Sequence, residues 1–176
     1  SRLSFIIPGP GNKPVLRFIG NRAVREFFNY FPIVRLIIAN TLRILGKSQL
    51  DWSGYSLACG NLNGDAYDDL VIGAWKADPG GRVNAGEVYV IFGSATLHSR
   101  GIIDLAGTPS GVLRIYGDRS DDGFGYSVAA GDINGDSRDD LIAGAWKADP
   151  SGRADAGQVF VIFGSAALHT QSSIDL

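Results

Sequence analysis

The sequence predicts an all-β protein with two four-stranded propeller blades, preceded by a segment that lies outside the repeat. Residues 113–176 align without a gap on residues 42–105, with 39 identities in 64 positions. Each repeat contains short apolar runs separated by clusters rich in Gly, Asp and Asn, which is typical of strands and turns. Sixteen of the eighteen acidic residues are Asp, which favours loops over helices. Four short strands per repeat indicate a propeller blade.

The first segment, residues 1–41, differs in charge from the rest of the chain. It has six basic residues and one acidic residue, whereas residues 42–176 have ten basic and seventeen acidic residues. Residues 24–45 alternate Arg with aromatic and branched apolar side chains, and Pro32 would kink a helix there. Three interpretations remain open: an amphipathic helix on an exposed blade edge, a basic membrane-surface segment, or a segment foreign to the repeat.

The two repeats are predicted to span residues 42–112 and 113–176, with the second truncated at its C-terminal end. In each repeat we expect the opening apolar run to supply the fourth strand of its own blade. The strand after the polar loop is apolar at nearly every residue, as in a strand covered on both faces. The predicted strands of the second repeat are residues 113–116, 125–131, 140–145 and 158–163.

The polar loop of the second repeat, residues 132–140, has the spacing of a calcium-binding loop. Ca²⁺ takes six to eight oxygen ligands, which short side chains at alternate positions of a tight turn can supply. The alternative is an Asp- and Asn-rich turn without a metal. The predicted ligands are the side chains of Asp132, Asn134, Asp136 and Asp140 and the backbone carbonyl of Arg138.

The equivalent loop of the first repeat, residues 61–69, is predicted to bind Ca²⁺ more weakly. It begins with Asn61 and has two carboxylates at ligand positions, where the second loop has three. Asp68 and Asp139 precede the last ligand of each loop and are expected to point into solvent. The predicted ligands are the side chains of Asn61, Asn63, Asp65 and Asp69 and the backbone carbonyl of Tyr67.

These motifs resemble the FG-GAP repeat. The pattern Gly-Asp-x-Asn-Gly-Asp-x-x-Asp-Asp-Leu-Ile-x-Gly-Ala, followed by Val-Ile-Phe-Gly, is similar to repeats in integrin alpha-chain propellers, glycosylphosphatidylinositol-specific phospholipase D and bacterial surface proteins. Phe124-Gly125 and Gly144-Ala145 match the motif, whereas Ser53 replaces its Phe in the first repeat. The family usually has Gly at loop position 6, where this chain has Ala66 and Ser137.

The resemblance implies a calcium-binding scaffold for binding or cell adhesion, in a secreted or surface protein. Two blades cannot close a propeller ring, so the chain is predicted to be an excerpt, an oligomer subunit or an open stack. Its partners would be a protein or cell-surface ligand, adjacent blades or a second copy. The alternative is a non-catalytic accessory portion of a hydrolase such as a phospholipase.

Enzymatic activity, nucleic-acid binding and a membrane span are not predicted. Gly54-Tyr-Ser and Gly125-Tyr-Ser lack the second Gly of a nucleophile elbow, and His98 and His169 occupy equivalent repeat positions. The net charge of −2 argues against a nucleic-acid binder. Arg residues interrupt every long apolar stretch. Cys59, the single cysteine, is expected to be buried. Trp75 and Trp146 are expected to pack on the neighbouring blade, and the alternative is that they form an exposed binding rim.

Overall fold

The computed structural model describes residues 4–8, 14–18 and 41–176. The chain forms two compact units, Ser1–Thr41 and Leu42–Leu176. In the first unit, strands β1 (Ser4–Pro8) and β2 (Pro14–Phe18) form an antiparallel pair. Of the helix considered for residues 24–45, residues 24–40 lie outside the described residues, and Arg43–Leu45 form a strand.

The second unit is built from short strands, as the sequence predicts. Its helical segments are single 3₁₀ turns at Pro79–Gly81, Leu97–Arg100, Pro150–Gly152 and Leu168–Thr170. No helix in the described residues has the length and apolarity needed to cross a membrane. The strands are β3 (Arg43–Leu45), β4 (Ser56–Gly60), β5 (Asp69–Ala74), β6 (Glu87–Ile91), β7 (Ile102–Asp104), β8 (Val112–Tyr116), β9 (Phe124–Gly131), β10 (Asp140–Ala145), β11 (Gln158–Ile162) and β12 (Ser173–Asp175).

The first blade consists of the antiparallel strands β4, β5, β6 and β8, and β12 pairs with β8 in parallel. The second blade consists of β9, β10 and β11. Strand β8 opens the second repeat in sequence but forms the fourth strand of the first blade. The prediction that each opening run belongs to its own blade is therefore wrong.

In this position the apolar face of β8 completes the core between the two blades. Its residues Leu113 and Ile115 lie opposite Val90 and Val88 of β6 in the strand register. All four side chains are fully buried in the core between the two blades. The same relation recurs one repeat earlier, because β3 pairs with β7 in parallel as β8 pairs with β12.

The core between the blades is formed by the facing surfaces of β6 and of the second blade. Val88, Val90 and Phe92 are buried against a surface that includes Leu141, and Val128 and Ala130 of β9 pack at its edge. A second core lies on the opposite face of the first blade and includes Ile72, Tyr89, Ile91, Ile103 and Leu105. The first blade is therefore covered on both faces. Cys59, on the edge strand β4, is exposed, so its predicted burial is wrong.

One buried ion pair ties the segment after β3 to the first blade. Glu87 is fully buried, and its Oε1 lies 2.6 Å from Lys47 Nζ. The hydroxyl of Tyr89, also fully buried, donates a hydrogen bond to the same carboxylate. Because a buried charge is costly without partners, this arrangement fixes the entry of the chain into the blade.

Candidate metal centre

The two predicted calcium loops occupy equivalent places in the two blades. Residues 61–68 connect β4 to β5, and residues 132–139 connect β9 to β10. Asp69 and Asp140, the last predicted ligands, are the first residues of β5 and β10 and are buried. The fold thus gathers each predicted ligand set in one turn between two neighbouring strands.

The last carboxylate closes each loop in the same way. Asp69 Oδ2 accepts the amide hydrogen of Leu62 at 3.0 Å, and Oδ1 accepts that of Gly93 at 2.9 Å. Asp140 repeats both contacts with equivalent residues, at 3.0 and 2.8 Å. Burial raises the pKa of the Asp69 carboxyl above its ordinary value, and the two amides oppose that rise. These residues hold the loop to the third strand of their blade.

Asp132 organises the second loop. One of its carboxylate oxygens accepts the amide hydrogens of Gly135 at 2.7 Å and Asp136 at 3.1 Å, and the other accepts that of Ser137 at 2.9 Å. Asn134 Oδ1 also accepts the Asp136 amide hydrogen, at 2.9 Å. Oxygens from the first two ligand positions therefore converge on a single backbone nitrogen.

Asn61 makes fewer contacts in the first loop. Its Oδ1 accepts one amide hydrogen, from Gly64 at 2.9 Å, and its Nδ2 donates to the carbonyl oxygen of Asp65 at 2.6 Å. The Asp65 carboxylate accepts the Tyr67 amide hydrogen at 2.7 Å and an Asn63 side-chain hydrogen at 2.9 Å. An amide at the first position thus turns one oxygen acceptor into a donor and reduces the negative charge of the loop.

Loop position 6 also differs between the repeats. Ser137 has a φ of 70°, in the left-handed region that favours glycine, whereas Ala66 is not among the residues with positive φ. The Asp132 carboxylate holds the Ser137 amide in this conformation. The backbone conformation that favours the family's glycine is therefore present at this position in the second loop and absent from the first.

The donor atoms suit a hard cation, because each predicted ligand offers a carboxylate, amide or carbonyl oxygen. Among the residues that the structure describes, no three side chains of His, Cys, Asp or Glu form a group that could hold a metal ion. The loop oxygens accept backbone amide hydrogens instead. The chemistry of the donor set fits Ca²⁺, and its binding stays a prediction.

Asp139 joins the two loops, a role that the sequence did not predict. Its Oδ2 accepts the Asn61 amide hydrogen at 2.7 Å, and its own amide donates to the Asn61 carbonyl oxygen at 3.0 Å. The expectation that Asp139 points into solvent is wrong, whereas the equivalent Asp68 is exposed. Asp139 is partly buried because it contacts the loop of the first blade, whereas Asp68 has no such contact among the described residues.

Arg138 reinforces this junction. Its guanidinium lies 3.9 Å from Asp136 Oδ2. A Cβ added at Gly64 would come within 2.7 Å of Arg138 Nε, so the side chain crosses closely over the first loop. This Nε is buried and has no hydrogen-bond partner in the described part of the chain. The residue predicted to offer a backbone carbonyl therefore also contributes a cation between the loops.

Trp75 packs on the neighbouring blade, as predicted. Its ring centroid lies 5.6 Å from that of Tyr126 and 6.4 Å from that of Trp146. Trp146 meets the first blade through this contact with Trp75, as predicted, although its side chain is 46% exposed. The ammonium group of Lys76 lies 5.0 Å above the Trp75 ring. Trp75 is the less exposed of the two tryptophans because the second blade packs against it.

Comparison with known proteins agrees with this repeat structure. A model of the FG-GAP repeat matches residues 53–91 and 124–162, which contain both loops and the strands around them. The chain carries two FG-GAP repeats.

Curated relatives include integrin chains and a phospholipase. Phosphatidylinositol-glycan-specific phospholipase D of Bos taurus is 35% identical over 120 residues, which is 68% of this chain and 14% of the relative. Integrin alpha-PS2 of Drosophila melanogaster is 33% identical over 139 residues, covering 73% of this chain and 9% of the relative. Integrin alpha-8 of Gallus gallus is 34% identical over 95 residues, covering 54% and 8%. The chain therefore spans a small part of the length of these relatives.

Proposed function

We propose that this FG-GAP segment binds Ca²⁺ and serves as a binding or cell-adhesion scaffold outside the cell or at its surface. The observation that carries the proposal is the loop of residues 132–140. It places possible metal-ligand oxygens at alternate positions, and the buried carboxylate of Asp140 holds the two ends of the loop together. The loop of residues 61–69 repeats the arrangement with fewer charges.

In the second loop, the ion would be held by side-chain oxygens of Asp132, Asn134, Asp136 and Asp140 and by the Arg138 carbonyl. When bound, Ca²⁺ supplies positive charge that offsets the three carboxylates among these ligands. The protein residues fix the loop, since Asp140 ties it to Gly164 and Asp132 caps three consecutive amides. The first loop would use Asn61, Asn63, Asp65, Tyr67 and Asp69.

The scaffold role and the location are supported by similarity to integrin alpha chains. Loops of low charge bind Ca²⁺ at the higher concentrations found outside cells. We also propose that this chain has no catalytic role of its own. Ser56, in one of the two Gly-Tyr-Ser sequences compared with a nucleophile motif, donates its hydroxyl to the Gly125 carbonyl oxygen at 2.7 Å and so links the two blades.

A second candidate function is that of an accessory portion of a hydrolase. It is favoured by the similarity to a phosphatidylinositol-glycan-specific phospholipase D. In that case the segment would bind or position a partner domain, and the purified chain would not hydrolyse a phosphatidylinositol-glycan substrate. Hydrolysis by the chain alone would contradict both candidates.

Calorimetric titration with CaCl₂ after chelation tests the proposed metal binding. We expect saturable binding that Asp136→Ala weakens strongly. Asp118→Ala is the matched control, because it removes the same charge from an exposed residue of the same repeat outside the loop. Absence of a binding isotherm for the unmodified chain at millimolar Ca²⁺ would overturn the proposal.

A further inference from the structure

A cavity of about 340 Å³ lies beside strands β8 and β12, and none of its lining residues belongs to either loop of the candidate metal centre. One wall is the segment 108–112, which leads into β8, and the other is the segment 169–173, which leads into β12. Arg114 of β8 donates its backbone amide hydrogen to the Ser172 carbonyl oxygen at 3.1 Å, which holds the two walls together. Sites for small molecules have volumes of about 300–1,000 Å³, so the cavity is large enough for a small ligand.

Arg114 lines this cavity with a guanidinium group that is held in place and still has free hydrogen-bond donors. Its Nη2 donates to the carbonyl oxygen of Leu105 at 2.7 Å and to that of Gly107. Its Cζ lies 6.0 Å from the ring centroid of Tyr89, which supports the guanidinium from one side. The N–H groups on Nε and Nη1 have no acceptor among the described residues, and they remain available to a ligand.

No carboxylate neutralises the positive charge of Arg114 within the described part of the chain. Acidic residues outnumber basic residues by seventeen to ten in residues 42–176, yet no Asp or Glu lines this cavity. Arg114 belongs to none of the ion pairs among the described residues, and the nearby Asp104 accepts the Ala106 amide hydrogen instead. The Arg114 side chain is partly buried. Because a charge withdrawn from water is normally paired, the cavity favours a ligand that brings negative charge.

The rest of the wall offers neutral hydrogen-bond donors and a second arginine. Ser110, Ser172 and Ser173 line the cavity, and their hydroxyl groups make no hydrogen bond with other described residues. Arg100 Nη1 donates to the Ser110 carbonyl oxygen at 3.0 Å, so a second positive charge lies beside the same wall. A phosphate group has several oxygen acceptors around one centre, which suits guanidinium and hydroxyl donors on opposite walls. The donor set therefore fits a phosphate group better than a planar carboxylate.

We propose that this cavity binds a phosphate group, with Arg114 as its main contact. The free N–H groups of Arg114 donate to phosphate oxygens, and serine hydroxyls on the two walls donate to the others. The bound group then bridges the segments 108–112 and 169–173 and stabilises the pairing of β8 with β12. Binding changes no covalent bond of the ligand. The inference is independent of Ca²⁺ binding, because neither calcium loop lines the cavity.

Titration of the full ¹⁵N-labelled chain with sodium phosphate, followed by NMR at constant ionic strength, tests the proposal. Ca²⁺ is first removed with a chelating resin, so that it neither binds the chain nor precipitates phosphate. We expect saturable shifts of the Gly111 and Ser173 amides and of Arg114 Nε. Arg114→Gln should weaken the binding by about tenfold or more, because hydrogen bonds from a charged donor are lost. Arg153→Gln is the matched control, since it removes the same charge from an exposed arginine that does not line the cavity.

A second variant separates ligand binding from the structural role of Arg114, which also holds the carbonyl groups of Leu105 and Gly107. The double substitution Ser110→Ala and Ser173→Ala keeps Arg114 and removes one hydroxyl from each wall. It should weaken phosphate binding by about fivefold and leave Tm in phosphate-free buffer unchanged. Titration with glycerol 3-phosphate and sedimentation with phosphatidylcholine vesicles that contain phosphatidic acid distinguish a soluble ligand from a lipid head group. Binding that requires Arg114 in either experiment supports the proposal and identifies the source of the phosphate.

Several outcomes would overturn the proposal. Absence of saturable binding to phosphate, glycerol 3-phosphate and the vesicles would show that the cavity does not hold a phosphate group. Stronger binding of acetate than of phosphate would assign a carboxylate ligand instead. Equal weakening by Arg153→Gln and Arg114→Gln would indicate general attraction of anions to positive charge. Because Ca²⁺ is removed in these experiments, none of these results bears on the proposed calcium binding.

Discussion

The loops of residues 61–69 and 132–140 show how equivalent sequences acquire different surroundings. The first loop lies beneath the second blade, where Asp139 and Arg138 contact it. The second loop has no such cover among the described residues, and Ile133 is 55% exposed where Leu62 is 1% exposed. The conformation of the first loop is therefore held in part by residues of the second blade, whereas that of the second loop is held by its own Asp132. In a stacked repeat, position along the stack decides the environment of a side chain.

The largest predicted effect is on the buried carboxylates that close the loops. Asp69→Ala should lower the free energy of unfolding by about 2–4 kcal/mol, because it leaves the Leu62 and Gly93 amides without their acceptor. Asp140→Ala should cost less, because one amide it would leave without an acceptor belongs to Ile133, which is 55% exposed and open to water, whereas Leu62 is 1% exposed. Urea denaturation measures both. Equal losses for the two variants would show that cover by the second blade does not strengthen the first loop.

Calcium should stabilise the chain through the second loop more than through the first. Binding to the native state alone adds about 2.7 kcal/mol at a hundredfold excess over Kd. Asp136→Ala should remove most of the Ca²⁺-dependent rise in Tm, and Asp65→Ala a smaller part, because the second loop has one more carboxylate. Thermal melts with CaCl₂ and with chelator test the order. Identical melts of the unmodified chain under both conditions would contradict it.

The contact between the loops should contribute less to the free energy of unfolding than the buried carboxylate of Asp69 or of Asp140 does. Asp139→Ala removes a carboxylate that accepts the Asn61 amide, at a cost of about 1–2 kcal/mol. Asp68→Ala, its repeat equivalent, is exposed and should change stability by less than about 0.5 kcal/mol at concentrations where the chain is monomeric. The pair of unfolding curves is informative, because the two substitutions are chemically identical. A comparable effect of both would mean that Asp139 gains nothing from the neighbouring loop.

The smallest predicted difference concerns loop position 6. Ser137→Gly should stabilise the chain by about 1 kcal/mol, because it relieves a left-handed residue that has a Cβ. Ala66→Gly should destabilise by about 0.5–1 kcal/mol, since only the cost in backbone entropy remains. Opposite signs in matched denaturation experiments would support the difference in backbone conformation. Stabilisation by both substitutions would argue against it.

Much of the fold could be predicted from the sequence, because local patterns determine it. Tandem identity, short apolar runs and Asp-rich turns indicated the repeats, the strands and the two loops. The partner of residues 113–116 could not be predicted, since an apolar strand has the same pattern whichever sheet it joins. The same limit applies to Cys59 and Asp139, whose burial depends on whether another blade stacks beside them. Residue type and spacing contain no record of that neighbour.

Because of strand β8, the sequence repeat and the folded blade have different boundaries. By sequence it opens the second repeat, yet its hydrogen bonds place it in the first blade. A protease that cut the exposed segment at residues 106–108 would therefore yield fragments that remain noncovalently joined, since one would keep most of a sheet and the other its outer strand.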